Sequence, residues 1–152
     1  MEQPKNQDQK ATASTKTIDA SGLILGRMAS MVAKLLRAGH AVNVVNCEKA
    51  VVSGNRTVTQ ERAWDKRNYG DTLVGPYVSR RTDFYVKRVI RGMMPYKKPS
   101  GKKQFQMLKC YHGVPPMVTG THETFEKASA TRLTRAKTIT IAEICKSLGG
   151  KL

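Results

Sequence analysis

The stretch RGMMPYKKPSGKKQFQMLKC, residues 91–110, carries two adjacent lysine pairs and ends on a cysteine two residues before His112. Two chemistries are open to such a segment. Clustered lysines attract phosphate, while a thiol beside an imidazole can bind a metal or act as a nucleophile. The second finds little support in spacing. Cys110-Tyr111-His112 matches no structural zinc pattern, the chain has no C-x-x-C pair, and Cys47, Cys110 and Cys145 are spaced as reduced thiols rather than as a disulfide framework. Neighbouring strand residues point to opposite faces, and no pair of carboxylates lies near a His or Ser at a recognisable catalytic spacing. No catalytic residue, metal-ligand set or cofactor is therefore assigned.

The glycines do not form a phosphate loop. A Walker-type loop would need glycine where Tyr96 stands and Ser or Thr where Lys103 stands. Gly22 and Gly26 sit where a dinucleotide loop would begin, but the middle glycine that lets backbone approach pyrophosphate is missing.

The charge is far more informative. The 152-residue chain has 27 basic and 11 acidic residues, a net +16. Between residues 80 and 109, Arg80, Arg81, Lys87, Arg88, Arg91, Lys97, Lys98, Lys102, Lys103 and Lys109 face only Asp83, so more than half of the net charge lies in this one segment. A patch of this density calls for a polyanion, either nucleic acid or an anionic membrane surface. Membrane association fits less well. The polar start MEQPKNQDQKATASTK has no apolar core for a signal peptide, and no run approaches the roughly twenty apolar residues of a spanning helix. The expected setting is cytoplasmic, with no membrane partner.

These cations need elements to position them. Residues 1–16 lack periodicity and read as a polar tail, and a single domain is expected over residues 17–152. Thr17 and Ile18 predict a short strand. Leu25, Met28, Ala29, Val32, Leu35 and Leu36 lie along one helical face, Gly39 supplies a C-terminal cap, and AVNVVN follows as a buried strand. This is the start of a parallel βαβ unit and places the chain in the α/β class.

Farther on, TQERAWDKRN predicts a helix. A second spans Asp83 to Arg91, with Phe84, Val86, Val89 and Ile90 as its apolar side, and Gly92 is expected to end it in a left-handed conformation before Pro95. Gly101 opens a shorter helix through Leu108, with Phe105 and Leu108 facing the core. LKCYHGVPP reads as a strand running into a proline turn, and residues 113–137 as loop. Thr140-Ile141-Ala142-Glu143 is a capping-box pattern at the head of a last helix, which Gly149 and Gly150 stop. Core packing is expected for Met93 and Met94, and stacking on unpaired bases for Tyr96.

The ordered strings IDASGLILGRMAS, VVNCEKAVVSGNR, VKRVIRGMMPYKKPSGKKQFQMLKCYHGVPP and TITIAEICKSLG together resemble the universal large-subunit ribosomal protein family L-thirteen. The GVPP ending is similar to its archaeal and eukaryotic branch. The resemblance implies a three-layer α/β/α domain around a mainly parallel four-stranded sheet, and no enzyme activity. It also implies a structural protein of the cytoplasmic ribosome, bound to large-subunit ribosomal RNA beside neighbouring ribosomal proteins, supporting subunit assembly, and monomeric apart from the ribosome.

The family's Gly-Met-x-Pro turn maps onto Gly92, Met93, Met94 and Pro95, its acid-Lys turn onto Glu48 and Lys49, and its hydroxyl-Gly-Asn turn onto Ser53, Gly54 and Asn55. The expected RNA contacts are thus the ten basic residues of the 80–109 segment with Tyr96, Asn55 and Arg56, while Gly92, Pro95 and Gly54 shape the turns. A free-standing basic RNA-binding regulator is the competing reading of the same charge. With no metal-ligand set assigned, EDTA is expected to leave the melting temperature unchanged; a fall of several degrees would restore Cys110 and His112 as ligands.

Overall fold

The computed structural model describes residues 15–71, 73–75, 77–118, 122–133 and 137–151. Strand β1 (Thr15–Asp19), helix α1 (Leu25–Arg37) and strand β2 (Ala41–Val45) form the expected βαβ unit, with β1 and β2 parallel from Thr15 opposite Ala41 to Asp19 opposite Val45. Thr15 and Lys16, assigned from sequence to the tail, are therefore paired strand residues; the rest of the proposed tail lies outside the described residues. Leu25, Met28, Ala29, Val32 and Leu36 are buried on α1, as their spacing requires, and Ala33 joins them. Gly39, at φ +91°, donates its N–H to the Leu36 carbonyl, and His40 donates to that of Leu35. This paired closure of the last helical turn needs left-handed backbone at the glycine, and it reverses the chain into β2.

Strand β4 (Leu108–Cys110) adds to the other side of β2, also parallel, with Val42 opposite Leu108 and Val44 opposite Cys110. The sheet order is β1-β2-β4. Strands β3 (Val51–Ser53) and β5 (Thr138–Thr140) form a separate antiparallel pair, so the expected four-stranded parallel sheet is instead a three-stranded parallel sheet plus this ribbon. The chain leaves the parallel sheet after β2 because Asn46 takes φ 53°, a conformation that asparagine tolerates better than most residues. Its side-chain amide donates to Asp19 Oδ1 at 3.0 Å, and a 3₁₀ turn at Cys47–Lys49 then redirects the backbone into β3. Burial raises the Asp19 carboxyl, but hydrogen bonds from Asn46 and Ser21 outweigh it and hold the pKa below its ordinary value.

Among the described residues, one residue fills the fourth position, on the outer edge of β1. The Asp19 N–H donates to the Glu123 carbonyl at 3.0 Å, and the Glu123 N–H donates to the Thr17 carbonyl at 2.9 Å. The segment around Glu123 has no alternating run of β-branched residues with which to extend the pairing.

The remaining helices are α2 (Arg56–Asn68), α3 (Thr82–Gly92), α4 (Pro99–Gln106) and α5 (Ile141–Ser147). Helix α2 starts earlier than predicted, just after Gly54 at φ +138° and Asn55. Helix α4 starts at Pro99, whose missing N–H costs nothing at a first helical position, so Gly101 lies inside the helix rather than opening it. Leu108 belongs to β4 rather than to α4, although it is buried as expected. On α5 the Thr140 hydroxyl accepts the Glu143 N–H at 3.3 Å, one half of the capping box, while the Glu143 carboxylate is 4.0 Å from Arg56 Nη1 instead of returning to the cap.

One core joins these elements. Ile18, Met28, Leu36, Ile90, Leu108, Ile139, Ile141, Ile144 and Leu148 are essentially inaccessible, each contributing about 1.5–3 kcal/mol relative to exposure. Among the described residues no helix is long and apolar enough to cross a membrane.

Two glycines behave differently from expectation. Gly92 is the last residue of α3 and does not take left-handed backbone, because the helix runs on through N–H donation from Met93 to the Ile90 carbonyl and from Met94 to that of Arg91. A Cβ at Gly92 would meet nothing, whereas a Cβ at Gly101 would overlap the Pro95 carbonyl group. Gly92→Ala is accordingly expected to be neutral or stabilising by up to about 1 kcal/mol through helix propensity, and Gly101→Ala to cost about 1–3 kcal/mol. Urea denaturation of both variants checks this, and equal midpoints would contradict it.

Candidate nucleic-acid interface

Helix α3 places its basic residues in a stripe. Phe84, Lys87, Arg88 and Arg91 follow the i, i+3, i+4, i+7 spacing of one helical face, while Val86 and Ile90 are buried on the other. Phe84 was expected on the apolar side but is 49% exposed, because it belongs to the cationic stripe. Asp83, the one acid between residues 80 and 109, is held by Arg81, with Nη2–Oδ2 at 2.7 Å and Nε–Oδ1 at 3.2 Å. Among the described residues, no carboxylate lies within ion-pair distance of Lys87, Arg88, Arg91, Lys97, Lys98, Lys102, Lys103 or Lys109.

Aromatic rings hold three cations of the segment in place. The Arg81 guanidinium lies 4.9 Å from the Phe84 ring centre, Arg91 5.4 Å from Tyr96 and Lys87 Nζ 5.5 Å from Phe105. Tyr96 and Phe105 meet edge to face, 5.3 Å apart at 86°. A continuous chain, Arg91–Tyr96–Phe105–Lys87, thus ties the end of α3 through the Met-Met-Pro turn to α4. Met94 is buried in that turn at 6% exposure, but Met93 is 43% exposed, so only one of the two methionines packs as expected. Tyr96 also carries Arg91 over its ring rather than standing alone as a stacking platform.

The lysines of the opening stretch are exposed, Lys97 and Lys98 before α4 and Lys102 and Lys103 within it. Lys98 is the N-cap residue, and the first turn of α4 has no acid. Lys98 and Lys102 are four residues apart, a spacing at which like charges repel, and the positive end of the helix dipole opposes both. Local electrostatics alone would not put lysines there.

The other sequence-predicted residues are less concentrated. Lys109 is exposed on β4 and lines a small surface depression with Lys87, Phe84 and Tyr111. Arg80 is exposed but packs its backbone carbonyl against Gly150 behind α5. Asn55 and Arg56 begin α2, and Arg56 faces Glu143; among the described residues no ion pair, hydrogen bond or ring contact joins them to the α3–α4 group. Sequence reasoning missed Phe84 and Phe105 as members of the cationic surface. The signal was present, since Phe84 has the same spacing as Lys87, Arg88 and Arg91.

The thiol and imidazole are used differently. His112 Nδ1 lies 3.2 Å from the Thr82 hydroxyl and 3.5 Å from Glu48 Oε2, and that same carboxylate oxygen accepts the Gly113 N–H at 3.0 Å. This group ties the start of α3 to the turns after β2 and β4. Among the described residues no three His, Cys, Asp or Glu side chains gather where a metal could sit. A hydrogen bond with Cys47, and then burial, push the Cys110 thiol far above its ordinary range, and burial with the Asp83 charge pushes Cys145 up to about 11. Thiolate is the reactive form, so alkylation of Cys145 at pH 8 is expected to be on the order of 100-fold slower than in the unfolded chain and to accelerate up to about pH 11. Labelling of Cys110 and Cys145 at the unfolded rate would contradict this.

Against known proteins, the family described as "Ribosomal protein L13" matches residues 14–116, which include every cation of the candidate interface. The chain is similar to the large ribosomal subunit protein uL13 of Methanococcoides burtonii, at 44% identity over 135 residues covering 88% of this chain and 97% of that one. The protein of the same name from Methanosarcina barkeri is 43% identical over 136 residues, with the same shares covered. That of Sulfolobus acidocaldarius is 40% identical over 139 residues, covering 88% of this chain and 92% of its own.

Proposed function

This chain belongs to the ribosomal protein L13 family, archaeal type, and from that premise we propose that it is a structural constituent of the large ribosomal subunit that binds large-subunit ribosomal RNA. The role is architectural rather than catalytic, in the ribosome of the cytoplasm, where the chain supports subunit assembly and translation. Its partners are the RNA and adjacent large-subunit proteins, and apart from the ribosome it is monomeric. The family premise also supports a three-layer arrangement of helices about the sheet.

The α3–α4 surface is the part assigned to RNA. Lys97, Lys98, Lys102 and Lys103 take phosphates as point charges, and Arg88 and Arg91 add planar, forked donors that suit folded RNA. Arg80, Arg81, Lys87 and Lys109 extend this surface, and Asn55 with Arg56 forms a separate contact point at the head of α2. The observation that carries the reading is the placement of lysines four apart at the positive end of α4, whose first turn holds no acid. In the free chain these charges oppose one another and the helix dipole. Phosphate relieves both conflicts, and the released counterions add to the affinity.

A sucrose gradient of cell lysate tests the assignment, with the chain expected in the large-subunit and whole-ribosome fractions. Recovery only among free proteins or small RNA complexes would favour a free-standing RNA-binding regulator. For the interface, changing Lys97, Lys98, Lys102 and Lys103 to alanine is expected to alter stability by no more than about 0.5 kcal/mol per site, because the side chains are exposed. The log-log salt dependence of RNA binding should flatten by roughly 3 units at about 0.7–0.9 per phosphate contact. An unchanged slope would show that these lysines do not grip phosphate.

A further inference from the structure

A groove of about 290 Å³ lies beside the lysines, lined by Tyr77 and Ser79 from the segment before α3, by Phe84, Lys87, Arg88 and Arg91 from the α3 stripe, and by Phe105 from α4. Three of its seven lining residues are aromatic, three are cationic and none is acidic. Arg81 lies over the Phe84 ring but is not part of the lining, and Phe84 is 49% exposed. The walls are fixed at both ends. Arg88 Nη1 donates to the Tyr77 carbonyl at 3.1 Å, and Phe105 is held by Tyr96 and Lys87.

We propose that this groove receives one unpaired nucleobase of the bound RNA, stacked against Phe84, with Phe105 as the opposing wall and its flanking phosphates on Lys87, Arg88 and Arg91. The proposal deepens the RNA-binding reading and rests on it. The volume falls just below the roughly 300–1,000 Å³ of small-molecule sites, which suits a single planar ring system rather than a larger ligand. Every base has a π face, so a ring-lined groove accepts a base without selecting strongly among them, and the cations attract the backbone to which that base is attached. An apolar protein segment would use the rings but leave Lys87, Arg88 and Arg91 facing no anion, and an acidic peptide would use the cations but not the rings. A nucleotide uses both.

The test compares two short single-stranded oligoribonucleotides of equal length, one with 2-aminopurine at its centre and one with an abasic residue there. The fluorescence of the 2-aminopurine strand should be quenched on binding, and the abasic strand should bind on the order of 10-fold more weakly at the same salt concentration. Phe84→Leu should abolish both the quenching and the difference in affinity, and Phe84→Tyr should restore them. Phe84 is half exposed, so these variants should stay folded. The four-lysine variant should flatten the salt dependence while keeping the quenching. Equal, salt-dependent binding of both strands without quenching would overturn the groove proposal and leave the phosphate contacts standing. Failure of both strands to bind in a salt-dependent way would overturn the RNA-binding reading and the groove with it.

Discussion

The candidate interface depends on one close approach, that of the Pro95 carbonyl to the backbone of Gly101, where no side chain fits. Because residue 101 has no Cβ, α4 can fold back against the turn that leaves α3. The Lys98 N–H then donates to the Pro95 carbonyl at 2.9 Å, and the Lys102 N–H to that of Lys98 at 3.1 Å. This places Tyr96 against Phe105 and brings Arg91 and Lys87 over the two rings. A wider turn would leave the same cations on separate flexible arms. Fixing them beforehand lowers the ordering cost at binding, since long basic side chains otherwise lose rotamer freedom when they engage an anion.

Holding so many like charges together is unfavourable, and the rest of the fold supplies the stability that permits it. Asp83 is committed to Arg81 and no further acid interrupts the stripe, so repulsion is balanced by ring contacts of Arg81, Lys87 and Arg91 and by a core shared among the helices and both sheets. Buried Val86 and Ile90 anchor the underside of α3, and Leu108 anchors the strand that follows α4. The lysines of the charged surface are exposed, whereas the turn beneath it has no room for a side chain at Gly101. Charge and scaffold are separable here because the lysines touch water and the glycine touches backbone.

The βαβ unit was legible because its elements have clean periods, 3.6 on α1 and a short apolar run on β2, with Gly39 where the close of α1 needs left-handed backbone. The β3–β5 ribbon was not, since strands of three residues carry too little pattern to show their partners, and the left-handed Asn46 that diverts the chain has no distinct signature. Gly92 and Gly101 both stand out in the sequence, but their physical roles differ from the expected ones. Sequence shows that a glycine is present, not whether its use is dihedral freedom or a near contact across a turn. Phe84 was misplaced for a related reason. An aromatic residue on an amphipathic helix fits either face, and here its spacing with Lys87, Arg88 and Arg91, rather than its apolar ring, is the signal that assigns it to the cationic one. The density of charge between residues 80 and 109 needed no structure to be seen, but the convergence of those cations with two phenylalanines did.

The α3–α4 lysines are proposed to lie against RNA in the assembled large subunit. Lysine acetylation rates, measured residue by residue in intact subunits and in the free chain, address it directly. Protection of Lys97, Lys98, Lys102 and Lys103 in the subunit, lost when the RNA is digested with nuclease, is the predicted result. Equal rates in the subunit and the free chain, or protection that survives complete digestion of the RNA, would contradict the claim.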